Sequence, residues 1–82
     1  MKLKIHMFGV AKEIFGNRVV EVDINNTDRL SVAELKSLLE KQKPAMRDIG
    51  TYLIATNSDY ATDAYIIQNT DEVAIIPPVS GG

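Results

Sequence analysis

The sequence predicts an α+β domain, and three observations carry that prediction. Alternating apolar segments stand near both ends, one strongly marked amphipathic helix lies between them, and no repeat or low-complexity stretch calls for another architecture. At 82 residues there is room for one hydrophobic core. Apolar residues make up 45% and charged residues 24%, ordinary globular usage that argues against disorder.

Lys2 to Phe8 alternates, with Leu3, Ile5 and Met7 on one side and Lys2, Lys4, His6 and Phe8 on the other. This is the pattern of a half-buried strand, with Phe8 as an aromatic ring on the polar side. Ala11 to Phe15 reads as a helical turn stopped at Gly16-Asn17, where glycine accepts positive φ. Arg18 to Ile24 alternates again, setting Val20, Val22 and Ile24 against Glu21 and Asp23. The helix is the clearest signal in the chain. Ser31 and Glu34 have the spacing of a capping box, and Leu30 with Leu35 supplies the matching hydrophobic staple. Val32, Leu35, Leu38 and Leu39 form one apolar stripe, with Lys36, Glu40 and Lys41 facing water. Pro44 turns Lys43 away from helical geometry, so the helix spans Val32 to Gln42.

Pro44 to Ile49 reads as a further helical turn closed by Gly50, Tyr52 to Thr56 as a third strand, and Asn57-Ser58-Asp59 as a turn. Tyr65 to Gln68 fits a short strand or a 3₁₀ segment equally well. After a turn at Asn69-Thr70-Asp71, Glu72 to Ile76 forms the last strand, with Val73 and Ile75 inward and Ala74 and Ile76 outward. Strands flanking one helix can bury the sheet's apolar face only against that helix. For so short a chain the economical solution is a β-grasp, a mixed sheet curled around one main helix. It occupies residues 1–78 and leaves residues 79–82 as a flexible, extended tail.

Composition narrows the chemistry. Eleven acids against nine bases give a net charge of −2 with no run of Lys or Arg, so no nucleic-acid surface is expected. The longest apolar stretch, Val73 to Val79, has seven residues and two prolines, where a membrane span needs about 20. The N-terminal residues lack the apolar region of a secretory signal, and the expected location is the cytoplasm. Cysteine is absent, which removes disulfides, thiolate metal sites, iron–sulfur ligation and thiol nucleophiles. The single histidine, His6, reads as solvated or interfacial. Asp59, Asp63, Asp71 and Glu72 lack metal-loop spacing and read as a solvated acidic surface. No metal and no bound cofactor are expected.

The unusual feature is the ending Pro77-Pro78-Val79-Ser80-Gly81-Gly82. The prolines cannot extend a strand ladder, so the last strand stops by Ile76, and they favour a polyproline path leading away from the body. Ser80-Gly81-Gly82 adds almost no bulk, so the tail can thread a slot where side chains would clash. The α-carboxylate of Gly82 is then the candidate reactive group. An ATP-using enzyme would convert it to an acyl-adenylate, from which a sulfur or amine nucleophile displaces AMP.

Three stretches carry a family resemblance: 7–16 (Met-Phe-Gly-Val-Ala-Lys-Glu-Ile-Phe-Gly), 31–35 (Ser-Val-Ala-Glu-Leu) and 71–82 (Asp-Glu-Val-Ala-Ile-Ile-Pro-Pro-Val-Ser-Gly-Gly). Through them the whole chain resembles the small subunits of molybdopterin synthase, a family of ubiquitin-like sulfur carriers. The resemblance implies that Gly82 is adenylated by an E1-like enzyme and converted by a sulfurtransferase to a thiocarboxylate. The tail, with Gly81 threading behind it, would enter the large synthase subunit, which supplies the catalytic side chains. There it would donate sulfur to cyclic pyranopterin monophosphate within a heterotetramer. The resemblance also implies a docking patch of Phe8, Tyr60 and Ile76, continued by Pro77, Pro78, Val79 and Ser80.

The chain departs from the family at Asn69-Thr70-Asp71-Glu72, usually Asp-Gly-Asp-Glu, at Ile66-Ile67, usually Pro-Leu, and at Tyr60, often aliphatic. Other readings stay open: a sulfur carrier for a thiamine precursor or tRNA, a protein modifier joined through Gly82, or a binding module with an inert tail.

Overall fold

The computed structural model of the chain describes residues 2–24 and 29–78. The expectations for Val79, Ser80, Gly81 and Gly82 lie outside the described residues. The elements are β1 (Lys2–Met7), α1 (Gly9–Phe15), β2 (Val19–Asp23), β3 (Leu30–Ser31), α2 (Val32–Gln42), a 3₁₀ turn (Pro44–Asp48), β4 (Leu53–Thr56), β5 (Asp59–Tyr60), β6 (Ile66–Ile67) and β7 (Val73–Ile76). Five strands form one mixed sheet in the order β2-β1-β7-β4-β5, and β3 pairs with β6 in a separate ribbon. The first and last of these elements, β1 and β7, lie parallel beside each other, while the remaining pairs are antiparallel. This is the β-grasp expected from the sequence.

Alternation decides which face is dry. Leu3, Ile5 and Met7 of β1, Ile54 of β4, and Val73 and Ile75 of β7 are at most 2% exposed and pack with Val32, Leu35 and Leu39 of α2. Met46, from the 3₁₀ turn, is fully buried and joins the same core. Gly16 ends α1 at φ 79°, and its N–H donates to the Lys12 carbonyl.

The start of α2 is held by side chains. The Glu34 N–H donates to Ser31 Oγ at 3.1 Å, and the Ser31 N–H donates to Glu34 Oε1 at 3.0 Å. The Ser31 backbone N–H and then its hydroxyl hold the Glu34 carboxyl below the usual carboxylate range. Ser31→Ala removes one half of this exchange. It is expected to cost about 1 kcal/mol and to lower the melting midpoint by roughly 4–8 °C, read by thermal denaturation.

Two short strands were not expected, and both have a physical cause. Asn57 and Ser58 take φ of 53° and 74°, so the chain reverses within two residues and Asp59-Tyr60 returns along β4 as β5 instead of completing the turn. Leu30-Ser31 serves as staple and cap but also pairs with Ile67 and Ile66, which settles the Tyr65–Gln68 segment as a strand.

Lys36 and Glu40, expected to face water, are tied to neighbours. Lys36 Nζ lies 2.9 Å from Asp63 Oδ1 and 5.7 Å from the centre of the Tyr52 ring, and Tyr52 Oη donates to Glu40 at 2.7 Å.

Asp71 is likewise no free surface acid. Its carboxylate accepts from the Gln68 N–H at 2.8 Å, from Asn57 Nδ2 at 2.8 Å and from Tyr65 Oη at 3.0 Å. Asn57 in turn accepts from the Glu72 N–H at 2.9 Å, tying the β4–β5 turn to the entry of β7. The Asn69-Thr70 turn is closed by the Asp71 N–H donating to the Gln68 carbonyl, and neither turn residue takes positive φ. That is how Thr70 is accommodated where the family has glycine.

Burial pushes the Asp71 carboxyl up, but the hydrogen bonds from Gln68, Asn57 and Tyr65 outweigh it, and the net direction is down. A carboxyl with a lowered folded-state pKa contributes stability above its unfolded value, near 3.9 for Asp. That contribution is lost as the pH falls through the lowered folded value. Acid titration followed by fluorescence or circular dichroism is therefore expected to show an unfolding limb below the ordinary Asp range, shallower in Asp71→Asn.

Candidate functional site

The alternation that buries Leu3, Ile5 and Met7 turns Lys2, Lys4 and His6 to the opposite face of the sheet, which α2 does not cover. Registers place one residue from each strand in a single transverse row on that face. Val19 pairs with His6, His6 with Ala74, Ala74 with Ala55, and Ala55 with Tyr60. The next row sets Ile76 beside Leu53, with Phe8 just beyond the end of β1. Phe8 is 50% exposed, Tyr60 70%, Val19 45% and Leu53 44%, so the apolar surface of these two rows is open.

The two alanines leave the middle of the first row low. The resulting depression is flanked by Phe8, Tyr60 and Ile76, with His6, Ser58 and Glu72 as its polar edge. The structure thus brings together Phe8, Tyr60 and Ile76, the three residues that the family resemblance implies as a patch. The chain leaves this patch directly: β7 ends at Ile76, Pro77 is half-buried and Pro78 is exposed.

Sequence reasoning missed Val19, Leu53 and Ala55 as members of the patch. The alternation of β2 already places Val19 with the outward Glu21 and Asp23, so that signal was present. Leu53 and Ala55 become legible only once Ile54 is known to face the core. Among the described residues no cluster of His, Cys, Asp or Glu could hold a metal ion, and no helix is long and apolar enough to cross a membrane.

A β-grasp whose last strand lies at the middle of the sheet, beside the first, and passes directly into the C-terminal residues has the ubiquitin-like fold. Residues 5–82 match the ThiS family, and the chain belongs to that family. It is 30% identical to the molybdopterin synthase sulfur carrier subunit of Arabidopsis thaliana, over all of this chain and 84% of the relative. Among solved structures, SAMP1 from Haloferax volcanii has a TM-score of 0.80 at 26% identity, with 100% of both chains covered. The protein–protein complex of subunits 1 and 2 of molybdopterin-converting factor from Helicobacter pylori contains the same fold. It matches with a TM-score of 0.66 at 22% identity over 100% of both chains.

Proposed function

We propose that this chain is the sulfur carrier subunit of a cytoplasmic molybdopterin synthase, with residues 1–78 as the handle and residues 79–82 as the reagent. The observation that carries the reading is that the family match runs through to Gly82 itself. A carboxylate oxygen of Gly82 attacks the α-phosphorus of ATP on an E1-like enzyme, and pyrophosphate leaves. Sulfide-level sulfur delivered by a sulfurtransferase adds to the acyl carbon, and AMP leaves, giving the thiocarboxylate. In the large subunit the thiocarboxylate sulfur adds to an electrophilic carbon of the pterin acceptor, and the oxygen substituent of that carbon leaves as water or as the opened phosphate ester. Water then cleaves the acyl–sulfur bond, returning the carboxylate to Gly82 and leaving the thiol on the acceptor. Two such rounds supply a dithiolene.

In this reading the chain contributes no catalytic side chain. The Phe8, Tyr60 and Ile76 platform docks on the large subunit, and Pro77, Pro78, Val79, Ser80 and Gly81 guide the terminus inward. The H. pylori assembly supports a partner of that kind for a chain of this fold.

The likeness to SAMP1 supports a second reading, in which an amine displaces AMP and Gly82 is joined to lysines of other proteins. Intact-mass measurement on the native protein separates the two. One oxygen replaced by sulfur at the terminus is expected for the carrier, and lysine-linked conjugates for the modifier. Sulfur passing from the purified thiocarboxylate to the cyclic pterin in the presence of the large subunit establishes the acceptor; its failure to pass refutes the molybdopterin assignment.

A further inference from the structure

The two prolines that follow β7 each lie against a glycine. A Cβ placed on Gly9 would stand 3.1 Å from Cγ of Pro77, and one placed on Gly50 would stand 3.7 Å from Cγ of Pro78. Gly9 opens α1 at φ 53°, immediately after Phe8. The two distances differ in meaning. At 3.7 Å a methyl group makes ordinary contact, whereas at 3.1 Å either the proline ring or the start of α1 must give way. Pro77 has little freedom to turn aside, because its ring fixes its φ and Ile76 before it is paired with Leu53.

We propose that Gly9 is the seat of Pro77, and through it a positioning residue for the C-terminal carboxylate; the effect on transfer rests on the sulfur-carrier reading above. The missing side chain lets Pro77 settle against Gly9, the residue after Phe8, so that the direction of exit is fixed relative to the docking platform. The five residues from there to Gly82 span about 15 Å when extended. A change in the exit direction at Pro77 must then be absorbed by the few residues that follow before the carboxylate can align, and an aligned reaction is sensitive to misplacements of about 1 Å.

Gly16 provides the control. It also takes positive φ, at 79°, but a Cβ there meets nothing within 4 Å. Gly9→Ala and Gly16→Ala therefore both place a side chain at positive φ, 53° and 79°, and differ in contact with the tail. In single-turnover transfer from the thiocarboxylated full-length chain bound to the large subunit, Gly9→Ala is expected to be slower by about tenfold or more. Its affinity for the large subunit stays within about threefold of wild type, as for a change outside the contact surface. Gly16→Ala changes neither. Pro77→Ala, which empties the seat without touching α1, is expected to reproduce the slow transfer. A wild-type rate in Gly9→Ala or in Pro77→Ala, or an equal loss in Gly16→Ala, overturns the proposal.

A second measurement needs no partner. In the free chain, Cα–Hα residual dipolar couplings of Pro77 and Pro78 should change in Gly9→Ala and not in Gly16→Ala. Unchanged couplings in Gly9→Ala overturn the seat whatever the terminus does. A wild-type chain that donates no sulfur would instead overturn the function, with the couplings still deciding where Pro77 rests.

Discussion

Deletion of Gly82 is expected to reduce sulfur transfer to background while leaving the melting midpoint of the domain unchanged. The two outcomes separate because the folded body and the reactive group are built from different residues. The buried core closes with Val73 and Ile75, seven residues before Gly82. Removing one residue draws the carboxylate back by about 3.3–3.6 Å. That distance is large against the tolerance of an aligned displacement, where a misplacement of 1 Å can cost about 100-fold. The measurement is transfer from an enzymatically charged chain, with circular dichroism melting as the stability control. A truncated chain, or one with an amidated terminus, that still delivers sulfur refutes the reading.

Phe8→Asp should weaken assembly with the large subunit by about 30-fold, equivalent to about 2 kcal/mol, the level at which a central aromatic counts as an interface anchor. Phe8 is half exposed and outside the core, so the isolated domain should change in stability by no more than about 0.5 kcal/mol. The loss has two sources: the ring's apolar area is no longer buried, and a carboxylate must be desolvated against Ile76 and its neighbours. Adenylation of Gly82 is expected to suffer less than assembly. Titration calorimetry for the complex and an ATP–pyrophosphate exchange assay for adenylation compare the two directly. Equal losses in both would count against the docking assignment.

Much of the fold was legible locally. The capping box at Ser31 and Glu34 and the proline at 44 bound α2 at both ends, and both act within a few residues of where they stand. The period of two in β1, β2 and β7 identified the buried side chains of each strand and placed Phe8 and Ile76 outward. The features that escaped are those made by distant partners. Strands β3 and β5 have two residues each, too few to show alternation, and exist through pairing with β6 and β4. Asp71 looks like any surface acid until Asn57, fourteen positions earlier, is brought against it. The pairing of Gly9 with Pro77 is likewise tertiary: neither residue carries a local sign of the other. The patch itself was half legible, because alternation shows which side chains leave the core but not which strands lie side by side.

The parallel contact between β1 and β7 has a consequence for biosynthesis. Because β7 lies in the middle of the sheet, β1 pairs early with β2 but meets its second neighbour only when the last of the described strands is made. The β1–β2 and β4–β5 pairs can form without it, but the five-stranded sheet closes only when residues 73–76 join them, so its completion is governed by long-range closure. A nascent polypeptide released before Ile76 lacks the middle of its sheet and stays an open substrate for proteases. Cellular turnover would then remove such fragments before they reach the activating enzyme, and the pool it meets would be enriched in chains translated past the last strand.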